Sequence, residues 1–236
     1  MQGQIYKFLK NRSIKGRFLD VGCGDGYNLE VFSKWGLEGD GVDISKRAIE
    51  IAKSKNLPGI NLINDDFMNF NASPYHLCFL LTTLEHIKND KEFLERACRL
   101  LEVDGLFILS VPANPKAYGF SDYMAGHYRR YSKSGIMKLL ESAGFSLVRF
   151  MSVGFPVGNF QRWFYDNVNK IIYGKPEFNS HSNDYIGIEK QYTHFTLIFR
   201  LLAPLVFFVF KFLVKLDFFF VNTNLAETYL IFSTKK

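Results

Sequence analysis

Three glycines lie within five positions in the stretch FLDVGCGDGYNLE, residues 18 to 30, directly after a short apolar run. The apolar run predicts a buried strand and the residues after the glycines predict a helix. Glycines at such a turn let the backbone approach a ligand closely. Asp43 ends the next predicted strand, about the right distance along the chain to bind ribose hydroxyls. The pattern predicts a nucleoside site, in preference to a tight turn that binds nothing.

The spacing of the glycines distinguishes two kinds of nucleoside cofactor. A dinucleotide site has the pattern G-x-G-x-x-G, whereas residues 22–26 form G-x-G-x-G and Tyr27 takes the place of the third glycine. Asp25 inside the loop is unfavourable beside a pyrophosphate, and Asp20 before it suits a ligand with an ammonium or sulfonium group. The loop favours a nucleoside with a cationic tail, and an NAD-dependent oxidoreductase is the disfavoured alternative.

The elements that position these residues alternate between strand and helix along the first 150 residues. The continuous apolar run LCFLL at 77–81 is typical of a strand covered on both faces. Such alternation predicts a parallel, doubly wound sheet with right-handed crossovers. The predicted strands are 17–21, 39–43, 61–63, 77–81, 105–111, 145–151 and 228–233, and the predicted helices are 2–12, 28–35, 46–54, 91–101 and 132–142, with a loop at 113–131.

Five short motifs occur in an order known from one enzyme family: LDVGCGDG (19–26), GVDIS (41–45), NDDF (64–67), LLTTLEHI (80–87) and LLEVDGLFILSVPA (100–113). Together they resemble the successive motifs of the class I S-adenosylmethionine (SAM)-dependent methyltransferases. The LEHI step and the later GHYRRYS and LLESAGF segments resemble the small-molecule branch, which includes quinone-biosynthesis and natural-product methyltransferases. The resemblance spans residues 17–150 and 228–235. It implies an α/β, Rossmann-like fold with a mostly parallel seven-stranded sheet and an antiparallel last strand.

The resemblance also assigns the methionine half and the ribose of SAM to the first two strand ends. Asp43 would bind the ribose hydroxyls, and Ile44 would pack on the adenine. SAM is therefore the expected cofactor and S-adenosylhomocysteine the expected product. The residues that would hold the methionine half are Asp20, Gly22, Cys23, Gly24 and Gly26.

Further cofactor contacts are implied after the third and fourth strands. An aspartate after the third strand would receive the adenine amino group, and Asp66 with Phe67 fits this role better than Asp65. Leu81, at the end of the fourth strand, would face the methionine portion through its backbone. Tyr75-His76 stands where the family usually has an aromatic residue and an aspartate, a departure that weakens the match only slightly.

Two histidines are the candidate catalytic bases. Methyl transfer needs alignment, and it needs a base when the attacking group is a protonated alcohol or phenol. By the resemblance, His86 lies at the mouth of the site and His127 in a loop above it; each has the alternative of a purely structural role. Arg129 and Arg130, with Tyr131 beside them, are expected to bind a phosphate or carboxylate of the acceptor, or else to form surface ion pairs. No group of residues has metal-ligand spacing along the chain, so no metal is predicted.

Composition and charge restrict the compartment and the partners. The net charge of +6 favours an anionic contact, but no nucleic-acid recognition module accompanies it, so nucleic acid is an unlikely partner. Three cysteines without a C-x-x-C pair indicate reduced thiols. The basic N-terminus lacks the apolar segment of a signal peptide. A cytoplasmic protein is predicted, with association with a membrane as an option.

Residues 155–224 are predicted to be a helical, aromatic-rich insertion between a SAM-binding core (1–154) and the final strand (225–236). Within it, 194–221 is strongly apolar, although its longest uncharged run of ten residues is too short to span a membrane. This stretch is expected to contact a membrane surface or a lipid-like acceptor, to form a homodimer face, or to join the core.

The predicted function is O-methylation of a small molecule. A hydrophobic or lipid-linked acceptor is the first choice, and a sugar or other metabolite is the second. The alternative from another class is a SAM-binding protein without catalysis that acts through its hydrophobic insertion on a membrane or partner. Intact glycines and Asp43 fit both ideas.

Overall fold

A seven-stranded sheet organises the protein, whose computed structural model describes residues 1–12, 16–173 and 226–236. Its strands in chain order are β1 (Phe18–Val21), β2 (Gly39–Asp43), β3 (Ile60–Asn64), β4 (Tyr75–Leu81), β5 (Leu101–Pro112), β6 (Phe145–Val153) and β7 (Thr228–Lys235). Their order across the sheet is β3-β2-β1-β4-β5-β7-β6. The first five strands pair in parallel, and β7 pairs antiparallel with both β5 and β6. This confirms the predicted α/β, mostly parallel sheet with an antiparallel last strand.

Helices cover the sheet on both faces. They are α1 (Gln2–Asn11), α2 (Tyr27–Lys34), α3 (Lys46–Ser54), α4 (Asp90–Arg99), α5 (Phe120–Met124), α6 (Lys133–Ser142) and α7 (Val157–Tyr173), with 3₁₀ turns at Leu84–His86 and Pro115–Ala117. Two separate clusters of buried apolar side chains result. Because the central strands are covered on both faces, their sequences are continuous apolar runs and do not alternate between apolar and polar residues.

Local sequence signals set several helix starts. Ser45 precedes α3, and its hydroxyl accepts a hydrogen bond from the Ala48 N–H at 3.3 Å. Ser132 precedes α6 and accepts from the Gly135 N–H at 3.0 Å. Such caps satisfy backbone donors that the first helical turn leaves without partners. The predicted starts at 46 and 132 therefore agree with the structure to within one residue.

The loop predicted at 113–131 is wrong in part, because it contains α5 and the 3₁₀ turn at Pro115–Ala117. Helix α5 is only five residues long, too short to show a periodic pattern. A tertiary contact supports it: the Ser121 N–H donates to the Asp166 carboxylate of α7 at 2.7 Å.

Only the beginning of the predicted insertion falls within the described residues. There α7 confirms a helix, and its side chains Phe160, Trp163 and Phe164 are largely exposed. Residues 174–225, including the apolar stretch 194–221, lie outside the described residues. Among the residues that are described, no helix is both long enough and apolar enough to cross a membrane.

The strand order brings the chemically interesting residues to one edge. The order reverses between β1 and β4, and ligands of open α/β sheets bind at the carboxyl ends of strands at this point. Val21, Asp43 and Leu81 end three adjacent parallel strands there. Residues far apart in sequence therefore share one edge of the sheet.

Candidate active site

The glycine loop follows β1 and has two kinds of glycine. Gly22, at φ +72°, lies against Thr83, since a Cβ at this position would be 2.5 Å from the threonine Cγ2. Gly24, at φ +55°, has no heavy atom within 4 Å of a Cβ position. Gly22 is thus needed for a contact within the protein, whereas Gly24 borders open space in which a ligand can approach the backbone.

Gly26 and Cys23 of the same loop face the protein interior. A Cβ on Gly26 would lie 3.0 Å from the Ala52 Cβ of α3. The Cys23 thiol is buried, and burial with the nearby charge of Asp20 raises its pKa. The Cys23 N–H donates to the Val42 carbonyl at 3.2 Å. Both residues shape the loop, so their predicted cofactor contacts are limited to backbone atoms.

Asp43 holds the loop in place. One carboxylate oxygen accepts from the Gly24 N–H and the other from the Ser45 N–H, each at 2.8 Å. Each carboxylate oxygen has two lone pairs, so both retain capacity for ribose hydroxyls. The side chain predicted to bind ribose therefore also fixes the backbone next to it.

Asp20 is a buried carboxyl group whose burial no hydrogen bond to its Oδ2 compensates among the described residues. It is 2% exposed, and its Oδ2 has no hydrogen-bond partner among the described residues. Burial, with a smaller contribution from the Asp43 charge, raises the pKa of Asp20 to about 8. Burying a polar atom costs free energy of folding unless it forms a hydrogen bond. The ammonium group of a cofactor is a suitable donor to Asp20 Oδ2.

The predicted adenine contacts differ in how the structure places them. Ile44 follows Asp43 directly and is 73% exposed, so its side chain is accessible to the adenine of a cofactor. One Asp66 carboxylate oxygen accepts from the Met68 N–H at 2.9 Å. The Phe67 ring is buried against Phe93, with ring centroids 4.7 Å apart, so only its backbone is able to contact a cofactor.

The end of β4 is built by two threonines that the sequence analysis did not single out. The Leu81 carbonyl accepts from the hydroxyls of Thr82 at 2.7 Å and Thr83 at 3.3 Å, so a cofactor group there has to displace one of them. Thr82 has a φ of +54°, which is rare for a β-branched residue and clusters at functional sites. The Thr82 N–H is held by Ser110 of β5.

The two candidate bases meet in the folded chain. The rings of His86 and His127 pack edge to face, with centroids 4.8 Å apart. Burial, together with the charge of His127, lowers the pKa of His86 to about 4. Glu85, 1% exposed, points its Oε1 at the His127 Nε2 from 4.0 Å, and burial raises its pKa to about 7. The site thus contains a neutral histidine, a second histidine and a carboxyl group that titrates near neutrality.

The predicted acceptor-binding residues all have protein partners. Arg129 donates to Asp90 and to the Lys88 carbonyl, yet its side chain is 36% exposed. Tyr131 is buried and donates to the Leu84 carbonyl and to Asp90. For Tyr131 the structure supplies a different role from acceptor binding, which is to hold the loop that carries His86.

Arg130 is buried among carboxylates. Its guanidinium donates to Asp122, to the Ala113 carbonyl and to Glu227. Its charge is thereby neutralised within the protein, which leaves no accessible donor for an acceptor phosphate. Among the three residues, Arg129 alone keeps the exposure that the predicted role requires.

The prediction that no residues have metal-ligand spacing needs one correction. Glu85, His86 and His127 each offer a ligand atom, and these atoms lie within 4.8 Å of one another. The Glu85–His127 separation of 4.0 Å is wider than the ~3.4 Å between ligands of a tetrahedral site with bonds of about 2.1 Å. The absence of a metal stays a prediction. Spacing along the chain did not reveal this group because His127 belongs to a distant loop.

The loop, Asp43, the orphaned Asp20 carboxyl and exposed Ile44 fit SAM. A family model described as a methyltransferase domain matches residues 2–149 of the chain. The chain belongs to the class I SAM-dependent methyltransferases. SAM is the cofactor of this family, and S-adenosylhomocysteine is the product that remains after methyl transfer.

Known proteins similar to this methyltransferase fall into two groups. A ubiquinone biosynthesis O-methyltransferase of Saccharophagus degradans is 29% identical over 112 residues, 44% of this chain and 48% of the relative. The chain spans about half the length of the curated relatives it matches. Two solved structures share the fold: a [4+2]-cyclase, SpnF (TM-score 0.59, 14% identity, covering 98% and 80% of the two chains), and a magnesium protoporphyrin IX methyltransferase of Synechocystis with bound S-adenosylhomocysteine (0.55, 20%, 64% and 75%).

We predict that SAM binding by the methyltransferase releases a proton from Asp20. In the free protein Asp20 is protonated below about pH 8, and an ammonium group against its Oδ2 favours the ionised form. Affinity for S-adenosylhomocysteine should therefore rise from about pH 6 to about pH 8, by at most tenfold per pH unit, and then level off. Calorimetric titration at neutral pH in two buffers of different ionisation enthalpy measures the proton release.

The matched control is Asp20→Asn, which keeps the shape but carries no titratable proton. It should remove the difference between the two buffers and flatten the pH dependence of affinity. Identical proton release by the wild type and the variant would assign the released proton to another group.

Proposed function

We propose that the methyltransferase methylates a hydroxyl group of a hydrophobic or lipid-linked small molecule, with a sugar or another metabolite as the second acceptor class. The observation that carries the proposal is the contact between His86 and His127 beside the end of β4. An alcohol or phenol needs a base to take its proton, whereas an amine needs only to be neutral. His86, His127 and the carboxyl group of Glu85, whose pKa is about 7, supply the proton acceptors that a hydroxyl substrate requires.

The proposed mechanism divides the work among the residues at the sheet edge. Bound SAM supplies a methyl group that its sulfonium already activates. Asp20, the Gly24 backbone and Asp43 hold and orient the cofactor. A histidine of the pair accepts the hydroxyl proton at a ring nitrogen as the acceptor attacks. Glu85 is buried beside this pair, which limits the access of water to the proton transfer.

Two observations support a hydrophobic acceptor. The first is that the relatives which this chain matches are named as ubiquinone biosynthesis O-methyltransferases. Helix α7 exposes Phe160, Trp163 and Phe164, while Arg162 and Asp166 of the same helix contact α5 and the segments beside it. The helix that packs against α5 thus carries an exposed apolar surface, to which we assign the apolar tail of the acceptor.

We also propose a cytoplasmic location and a division of the chain into core, insertion and final strand. Residues 194–221 are proposed to contact a membrane surface or a second copy of the chain. Acceptor binding by Arg129 is a proposal as well. It would suit an acidic group on the acceptor, and it is compatible with the bond to Asp90 because the side chain keeps partial exposure.

Acceptor class is tested with matched synthetic compounds. Purified protein with SAM is offered catechol, hexylcatechol and hexylaniline, and S-adenosylhomocysteine release is measured. We expect turnover of both catechols, a lower KM for hexylcatechol, and no turnover of the amine. A roughly tenfold or greater fall in KM is reasonable for a buried hexyl chain, because each buried methylene contributes about 0.8 kcal/mol. Methylation of the aniline alone would overturn the hydroxyl assignment, and equal KM values would overturn the hydrophobic one.

A further inference from the structure

Asp122 of α5 is a buried carboxylate bound to a candidate base. It is 1% exposed, and its Oδ1 lies 2.8 Å from the His127 Nδ1. The Arg130 Nε donates to both carboxylate oxygens at 2.8 Å, and the Gly119 N–H donates to Oδ2 at 3.0 Å. Burial raises the pKa of Asp122, but the hydrogen bond from His127 and the charge of Arg130 bring it below its usual value. Asp122 is therefore an anion that only accepts hydrogen bonds.

This bond fixes the tautomer of His127. Because Asp122 only accepts, the proton of neutral His127 sits on Nδ1, which leaves the lone pair on Nε2. The backbone of His127 is held at both ends: its N–H donates to the Asp122 carbonyl at 2.9 Å, and its carbonyl accepts from the Tyr118 hydroxyl at 2.7 Å. The ring therefore has little freedom to turn its Nε2 away from the site.

The Nε2 atom faces the end of β4. The groups against the His127 ring are Asp122 on one side and, on the other, Glu85 at 4.0 Å and His86 at 4.8 Å between ring centroids. Arg130 forms an ion pair with Asp122 as well. His86 is a poor base by comparison, because burial lowers its pKa to about 4 and a base works best near the ambient pH.

A row of ion pairs continues from Asp122 to helix α7. Arg130 Nη2 lies 2.5 Å from Glu227, just before β7, and the second oxygen of Glu227 accepts from Arg162 Nε at 2.9 Å. Arg162 also donates to the Ala117 carbonyl, and its neighbour Asp166 holds the Ser121 N–H of α5. The position of α7 is thereby tied to the helix that carries Asp122.

We propose that Asp122 is the positioning residue that selects His127 over His86 as the base, and that Arg130, Glu227 and Arg162 tie this pair to the first helix of the insertion. As the acceptor oxygen forms its bond to the methyl carbon, its proton moves to His127 Nε2. The electron pair of the broken carbon–sulfur bond stays on sulfur. Asp122 remains ionised beside the imidazolium, which then loses the proton to water. The inference rests on the proposed hydroxyl acceptor.

Asp122→Asn tests the pair with two acceptors of different acidity. With methylcatechol, whose hydroxyl needs a base, kcat should fall by about 10²–10⁴-fold. With nitrocatechol, whose hydroxyl is ionised near neutral pH, kcat should change by less than about tenfold, since no base is needed. The exposed Asp104→Asn is the matched control and should leave both unchanged. Equal losses with both acceptors would show a structural role and overturn the proposal.

A second measurement needs no acceptor. Nitrogen-15 NMR of the full chain with S-adenosylhomocysteine, assigned with His127→Gln, reports which ring nitrogen carries the proton. We expect Nδ1–H in the wild type, and a proton on Nε2 would overturn the proposal. Inactivity of the wild type on every catechol, with Nδ1–H intact, would refute the hydroxyl acceptor and leave the Asp122–His127 geometry established.

The outer part of the row is tested with Arg162→Gln. A loss of about 2–30-fold with methylcatechol, and a smaller one with nitrocatechol, is expected for coupling through an indirect contact. An unchanged ratio between the two acceptors would limit the positioning role to Asp122 itself and remove α7 from it.

Discussion

The Asp43→Ala variant is expected to lose affinity for SAM and S-adenosylhomocysteine by about 10²–10⁴-fold. Asp43 has two tasks at once. Its carboxylate accepts hydrogen bonds from the N–H groups of Gly24 and Ser45, which fixes the glycine loop, and its remaining lone pairs are able to accept ribose hydroxyls. Hydrogen bonds to a charged group contribute about 1.5–3 kcal/mol each, so two ribose hydroxyls account for the expected range.

The measurement is calorimetric titration of each variant with both ligands. Asp25→Ala is a matched control in the same loop, because Asp25 is exposed and contacts Lys55 and the Tyr27 N–H rather than the loop glycines. It should bind within about threefold of the wild type. Circular dichroism and thermal melting establish that Asp43→Ala is folded. Wild-type affinity in folded Asp43→Ala would show that the cofactor does not depend on this carboxylate.

The His127→Gln variant is expected to lower kcat with methylcatechol by about 10²–10⁴-fold while its affinity for SAM stays unchanged. Glutamine keeps a polar side chain but accepts no proton. His86→Gln should cost less, because a histidine with a pKa of about 4 takes up a proton poorly at neutral pH. Single-turnover rates at saturating SAM separate the chemical step from product release.

The double variant decides between the remaining roles of the two histidines. If His127 is the base and His86 packs against it, the double variant should be about as slow as His127→Gln alone, because residues that act as a unit are not additive. Full activity in the double variant would remove both residues from proton transfer. A larger loss in His86→Gln than in His127→Gln would reverse their assigned roles.

The sequence was most informative where a local pattern has one structural outcome. The glycine loop, Asp43 at the end of β2 and the apolar run of β4 were all placed correctly, because parallel strands bring their carboxyl ends to one edge. The predicted length of β5 was wrong: it begins at Leu101 and not at 105, because pairing of Leu101 with Tyr75 extends it. Pairing between strands is a tertiary property that apolar periodicity does not report.

The sequence also named residues whose actual contacts differ from those expected. Gly22 accommodates Thr83, and Cys23 and Phe67 direct their side chains into the core. Arg130, which was predicted to bind an acceptor or to form a surface ion pair, lies buried between Asp122 and Glu227. In each case the residue type indicated that the position is constrained by a close contact, by burial or by charge. The direction of the side chain depended on neighbours from other segments.

By itself, the sequence determined the fold class, the family and the cofactor, since these depend on motifs whose spacing is local and whose order along the chain is fixed. Only the tertiary structure decided how the catalytic end is assembled. The loop after β5 folds over the end of β4 and places His127 against His86, while Glu227, close in sequence to β7, reaches Arg130 beside Asp122. These contacts join segments that no periodicity links, because side-chain packing and buried charge pairing act through space rather than along the chain.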